Sequence, residues 1–325
     1  MFNEDWKTAF LSREGWCDAT ETRVGEDWSL RRFARLSLNG QTAILLQSVP
    51  DDDPRAMRGH RLGEYIEISN YLENLGFNVP KIYAENISQG LLLIEDFGDR
   101  SLHDLFDENA PDLKSWYLKA TDILIDLYKK TPSNDLDLAS YYEGHIHPAR
   151  RFMMDYYWPH ITGQSVDEGL AQAYLKIWDE IEKYLPTIPS RFLYIDFHPQ
   201  NLMIDGDQLG LIDFQGAYWG PVPYDLVNLL EDARRIVPRD IKQACLQKYL
   251  DSIPENERKA FEEWYIVLSA QFHCRVIGQA IKLTQNGKPR LMDYVPILQK
   301  HLAADLKSPI LKPLKDFLAG IGINF

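Results

Sequence analysis

Leu193-Tyr194-Ile195-Asp196-Phe197-His198-Pro199-Gln200-Asn201-Leu202-Met203-Ile204 sets a carboxylate and an amide five residues apart on a loop between two apolar runs. Leu211-Ile212-Asp213-Phe214-Gln215 follows, with a second carboxylate at the end of another apolar run. Moving a phosphoryl group requires a carboxylate to accept or orient the proton of the attacking hydroxyl, and hard oxygen ligands for the cations that neutralise a triphosphate. Asp196 suits the base, Asn201 a neutral metal ligand and Asp213 the main metal carboxylate; an all-oxygen set favours Mg²⁺ over zinc. The bland alternative for Asp196 and Asn201 is an Asx-rich turn between strands. Asp213 on the next strand, with Tyr224-Asp225 after it, weighs against that alternative.

Outward from this stretch the apolar pattern changes class. Gly40 separates two strand-like runs, Arg32 to Leu38 and Thr42 to Val49, which predicts a hairpin. Tyr65, Ile66, Ile68, Tyr71, Leu72 and Leu75 recur at helical spacing until Gly76, and strands are expected from Lys81 to Glu85 and from Leu91 to Glu95. From Ser101 the chain reads helical, with one β island made of Phe192 to Ile195, Leu202 to Asp205 and Leu209 to Ile212. The expectation is a β-rich lobe over residues 1–96 and a helical lobe over 97–325, with a ligand cleft between them.

The 325 residues are 45% hydrophobic and 12% aromatic, enough for a large folded core. A formal charge of −13 argues against nucleic acid as a partner. Cys17, Cys245 and Cys274 lie far apart with no CxxC, which fits neither a zinc site nor a disulfide framework. The segment Met1-Phe2-Asn3-Glu4-Asp5 has no basic region and no apolar run behind it, so neither signal peptide nor membrane anchor is expected and a cytoplasmic location is.

Aspartate, four residues, asparagine, an apolar strand and then aspartate-phenylalanine, followed by Gly220-Pro221-Val222-Pro223-Tyr224-Asp225-Leu226, resembles the aminoglycoside phosphotransferase and choline kinase family, relatives of the protein kinases. Within that group the resemblance is greatest to the bacterial anomeric kinases of N-acetylmuramate and N-acetylglucosamine. It extends over Ser29-Leu30-Arg31-Arg32-Phe33, Gly76-Phe77-Asn78-Val79-Pro80 and Arg275 to Pro296. The resemblance implies an α+β, bilobal protein-kinase-like fold with a small antiparallel β N-lobe and a larger, mainly helical C-lobe. It implies ATP and Mg²⁺ as cofactors and a small-molecule hydroxyl acceptor. Asp225 matches an aspartate that braces the catalytic loop.

Two departures stand out. Tyr194 occupies the position where protein kinases and most antibiotic kinases carry histidine, and Ile44-Leu45-Leu46-Gln47 lacks the usual third-strand lysine. Arg31 and Arg32 are the candidates to replace that lysine, with Glu67 orienting one of them. Asp96-Phe97-Gly98 imitates a metal motif but lies a hundred residues too early; Glu95 and Phe97 there are candidates to hold an adenine edge. Ser29 is a candidate phosphate contact, although Gly25-Glu26-Asp27-Trp28-Ser29 fails as a glycine-rich loop. For the acceptor, Trp219 is a candidate sugar-ring platform, and His273 and Arg275 are candidates to read an anionic substituent. The rival readings are an aminoglycoside or choline-type kinase, whose cationic acceptor would suit an acidic pocket, and a pseudokinase that binds without turnover.

Overall fold

The computed structural model describes residues 3–25, 31–59, 61–132 and 136–325, without the side chain of Arg290. Packing divides the chain into two compact units, Met1–Lys119 with Pro199–Ala217 and Ala120–His198 with Tyr218–Phe325. This division differs from a cut at residue 96, because residues 97–119 and 199–217 pack with the N-terminal sheet.

The first unit is built on an antiparallel sheet in the order β1-β2-β3-β5-β4, from β1 (Thr20–Val24), β2 (Arg32–Leu38), β3 (Gln41–Gln47), β4 (Ile82–Asn86) and β5 (Leu91–Ile94). Helix α1 (Glu4–Arg13) begins where the Asn3 side chain accepts from the N–H groups of Asp5 and Trp6. It buries Phe10 and Leu11 against Leu36, Ala43, Leu45, Leu91 and Leu93, one alternating face of the sheet. Helix α2 (Leu62–Asn74) is capped from a distance: the Asp51 carboxylate accepts from the N–H groups of Leu62 at 2.7 Å and Gly63 at 2.8 Å. A Cβ at residue 63 would come 2.9 Å from that carboxylate, so glycine is what lets the cap approach. Helix α3 (Leu102–Asp107) opens with a Ser101/Asp104 capping box.

Helix α4 (Leu113–Lys130) runs across the division at residue 119. The second unit contains α5 (Trp158–Thr162), α6 (Glu168–Tyr184), α7 (Pro223–Leu230), α8 (Arg239–Ser252), α9 (Glu255–Gln285), α10 (Val295–Asp305) and α11 (Lys312–Gly320). The 31-residue α9 is its axis and is buried on most sides, including Trp264, Leu268, Phe272 and Ile277. At Gly278 the backbone of Phe152 comes close, since a Cβ there would lie 2.2 Å from the Phe152 carbonyl oxygen. Among the described residues no helix is long and apolar enough to cross a membrane.

The single β island expected from sequence is two separate sheets. Strand β6 (Ser190–Leu193) pairs with β9 (Tyr218–Pro221), and β7 (Leu202–Asp205) pairs with β8 (Gln208–Leu211). The first pair belongs to the second unit and the hairpin to the first.

Candidate active site

In the first unit, β7 and β8 are joined by Gly206 and Asp207, and Gly206 takes φ +60°, the left-handed first position that favoured hairpin turns require. The register pairs Leu202 with Leu211, so Asn201 and Ile212 are the next facing positions. The Ile212 N–H donates to the Asn201 carbonyl at 3.2 Å, which leaves Asn201 and Asp213 at the same end of the hairpin. That end is clamped by Leu211 N–H donating to the Asn78 carbonyl at 2.8 Å, and the far strand by Ile204 N–H donating to the Arg100 carbonyl at 2.8 Å. Asp213 has φ +65°, a conformation that aspartate tolerates better than most residues. Its carboxylate is 44% exposed, accepts from the Gln215 amide at 2.6 Å, and stands 3.6 Å from the guanidinium of Arg31, a residue only 8% exposed. Phe214, next in the chain, is buried with its ring 4.9 Å from that of Tyr65 on α2. The Asn201 amide oxygen and the Asp213 carboxylate are the candidate ligands at this end, hard donors of the kind that suit a divalent cation.

In the second unit the approach to Asp196 is set by β6 and α7. Asp225, in the first turn of α7, is 2% exposed, and its two carboxylate oxygens accept from the N–H groups of Tyr194 at 2.6 Å and Ile195 at 2.8 Å. Burial pushes the Asp225 carboxyl up to about 7, against the pull of those two donors and with a further upward push from the charge of Asp196. Ile195 has φ +74°, so the chain turns sharply there. Asp196 emerges exposed between buried Ile195 and buried Phe197, and its carbonyl accepts from the His198 N–H at 2.8 Å. Tyr194 is fully buried, edge-on to Phe197 with ring centroids 5.3 Å apart. It fills with an aromatic ring the position where the resemblance leads one to expect histidine.

Tyr224 links this loop to α9. Its hydroxyl accepts from Arg275 at 3.2 Å. Burial raises its phenol most strongly, the Arg275 charge lowers it and the Asp196 charge raises it. Arg275 and Asp196 therefore both lie within electrostatic reach of one phenol. Arg275 also donates to Gln279 at 3.1 Å and lies over the Phe272 ring.

The sequence profile of the phosphotransferase enzyme family matches residues 20–296. The chain belongs to the phosphotransferase enzyme family. It is 30% identical, over 95% of its own length and 94% of the relative's, to a protein named N-acetylmuramate/N-acetylglucosamine kinase from Caulobacter vibrioides. It is 27% identical, over 95% and 91%, to a protein of the same name from Pseudomonas aeruginosa. A solved choline/ethanolamine kinase family protein from Mesorhizobium loti superposes with a TM-score of 0.64 over 98% of each chain at 12% identity, which shows the kinase-like α+β fold. The chain is accordingly a kinase, an enzyme of the phosphotransferase class.

The structure places the remaining sequence candidates as follows. Trp219 is 4% exposed, packs edge-on against Phe192 and donates its indole N–H to the Leu136 carbonyl at 3.0 Å, so it is a core residue and not a sugar platform. His273 has no exposed surface; its Nδ1 is 2.7 Å from Asp305, which removes it from acceptor binding. Glu67 is exposed on α2, whereas Glu64 one turn earlier is half-buried and accepts from the Gly59 N–H. Glu95 has its N–H committed to the Lys81 carbonyl at 2.9 Å, and its carboxylate accepts from the Lys81 N–H. Phe97 lies against Gly210 of β8, where a Cβ would be 2.6 Å from its ring. Asp96, of the imitation motif, forms a two-point ion pair with Arg35.

Strand alternation separates the two arginines. The Arg31 guanidinium sits over Phe33, whereas Arg32 faces Gln47 across the β2–β3 pair, and Gln47 shares its face with core residue Leu45. Ser29 lies outside the described residues. What sequence reasoning missed is Gln215 as a local partner of Asp213, and Tyr224 as a bridge to Arg275, 51 positions away in the chain and without a local signal.

Proposed function

We propose that this kinase transfers the γ-phosphoryl group of ATP to the anomeric hydroxyl of N-acetylmuramate or N-acetylglucosamine. Asp196 takes the proton of the attacking hydroxyl, and Asn201 and Asp213 hold Mg²⁺. The observation that supports the reading is the β7–β8 register, which leaves Asn201 and Asp213 at one hairpin end, with Arg31 beside Asp213. Bound there, Mg²⁺ supplies neutralisation of the phosphate oxygens. Arg31 is the better of the two candidate replacements for the third-strand lysine, since its guanidinium lies on Asp213. Asp225 fixes the direction of the loop, so that Asp196 meets solvent with its carboxylate ready for a proton.

The acceptor class rests on the names of the relatives, which cover nearly the whole chain, and on Arg275. Muramate differs from glucosamine by an ether-linked lactate, and a guanidinium within reach of the same tyrosine as Asp196 suits that carboxylate. A cationic aminoglycoside or choline finds no such complement in Arg275.

The test is transfer of labelled phosphate from Mg²⁺-ATP over a panel of amino sugars, aminoglycosides and choline. Phosphorylation at the anomeric oxygen abolishes the reducing end of the sugar, so a reducing-sugar assay on the product reads the position directly. Asp196→Ala should lower turnover by roughly 10²–10⁴-fold, and Arg275→Gln should raise KM for N-acetylmuramate while sparing N-acetylglucosamine. A product that still reduces, or equal turnover by Asp196→Ala, would sink the proposal.

A further inference from the structure

Around His273, which faces Asp305, the end of α7 meets α8, α9 and α10 at a buried polar knot. Glu231, 1% exposed, accepts from the Tyr265 hydroxyl at 2.9 Å, faces His301 Nδ1 at 3.1 Å and is paired with Lys242. His273 Nδ1 lies 2.7 Å from Asp305, whose same oxygen accepts from the Ser269 hydroxyl at 2.9 Å. The two imidazoles stack, centroids 5.1 Å apart and 12° from parallel. Each Nδ1 thus faces a carboxylate, and Nε2 of both rings is buried with no hydrogen-bond partner. For His273, an Nδ1–H given to Asp305 leaves Nε2 with a free lone pair, the tautomer in which histidine ligates metal, and the carboxylate raises its basicity; for His301 it is Nδ1, 3.1 Å from Glu231, that can share an ion with that carboxylate. A buried nitrogen lone pair with nothing to accept is costly unless something fills it.

We propose that Glu231, His273 and His301 form a binding site for a divalent transition metal of the zinc class, with Asp305 orienting His273. One ligand atom from each of the three residues lies within 4.8 Å of the other two. Metal–ligand bonds of about 2.0–2.2 Å place tetrahedral donors roughly 3.3 Å apart, so the side chains draw together by small torsional changes. Mixed imidazole and carboxylate donors favour zinc over magnesium or calcium. Lys242, 32% exposed at the rim, is the cation that the metal displaces from Glu231. The ion would tie α9 and α10 to the end of α7, the helix that carries Asp225, and so would be structural.

The experiment uses the untagged full-length protein, stripped with chelator, dialysed against Zn²⁺ and assayed for bound metal, with Co²⁺ substitution read by its visible absorption. One tightly held equivalent is expected in wild type and in Asp213→Ala, which removes the other candidate metal carboxylate. His301→Gln should weaken binding by about 10–100-fold or more, and Lys242→Gln, at the exposed rim where folding is least at risk, should tighten it. Background zinc in the wild type overturns the site, as does zinc that is lost with Asp213→Ala and kept with His301→Gln. If His301→Gln does not fold, unchanged or weaker binding by Lys242→Gln decides against it.

Discussion

Ile195 and Asp213 hold left-handed backbone at +74° and +65°, and they flank or constitute the residues assigned to chemistry. For a β-branched residue this conformation costs roughly 1–3 kcal/mol, and it persists only where the surroundings over-determine it. At Ile195 the surroundings are the two N–H bonds to Asp225. An Asp225→Asn chain offers one carbonyl oxygen and an NH₂ group to two N–H donors, so one buried donor is left unpaired, at about 1–3 kcal/mol. Loss of stability and of turnover should go together. The pH dependence has a definite sign. Burial holds the folded carboxyl at about 7, above an unfolded value near 3.9, so the folded chain keeps an extra proton between those values. The stability contributed by this carboxyl is full below about pH 4, falls as pH rises to about 7 and is flat above. Asparagine has no such dependence. The difference in urea midpoint, wild type minus Asp225→Asn, should therefore shrink from pH 4 to pH 7; a difference that widens would mean a depressed carboxylate instead.

Among the elements, the β7–β8 hairpin carries both metal candidates, and its position depends on what it leans on. Phe97 lies on Gly210, and a Cβ at that glycine would meet the ring at 2.6 Å. Gly210→Ala should cost about 1–3 kcal/mol by overpacking, and less on a Phe97→Leu background; a double-mutant cycle on thermal midpoints measures the coupling, and full additivity would show that the ring is not the obstacle. The hairpins of the first unit were legible as apolar runs interrupted by turn residues such as Gly40 and Gly90, and α2 because its apolar residues recur every three to four positions until Gly76 at φ +84°. Strand β1 was not, since four of its five residues are exposed and leave no burial pattern to read. The β6–β9 pairing joins residues nearly thirty positions apart, with the β7–β8 hairpin between them, and apolar runs do not say which of their neighbours they bond. The candidate acid and amide positions came from the spacing of Asp196 and Asn201 taken together with Asp213, Tyr224-Asp225 and the family resemblance. The long-range contacts that define them, Arg31 to Asp213 and Asp225 to the Tyr194 and Ile195 amides, were not legible, and the aromatic Trp219 was misjudged because an indole reads the same whether it lines a pocket or fills a core.

For the molecule as a whole, binding and turnover separate by which carboxylate is changed. With a formal charge of −13 the chain repels a nucleotide triphosphate at long range, so in the proposed site affinity would come from local groups: a cation at Asn201 and Asp213, with Arg31 beside Asp213. A ligand that binds only the folded chain stabilises it by RT ln(1 + [L]/Kd), about 2.7 kcal/mol at a hundredfold excess over Kd. Mg²⁺-ATP should accordingly raise the thermal midpoint of wild type by a few degrees. Asp196→Asn keeps the metal ligands and should show nearly the same rise while losing turnover. Asp213→Ala removes the carboxylate and with it one ion-pair partner of the buried Arg31, so its midpoint without ligand should already be lower. The ligand-induced rise, and not that baseline, is the informative quantity, and for Asp213→Ala it should vanish. A rise that survives Asp213→Ala and disappears with Asp196→Asn would exchange the two roles, placing the nucleotide's metal on the loop carboxylate and leaving the hairpin carboxylate to the proton.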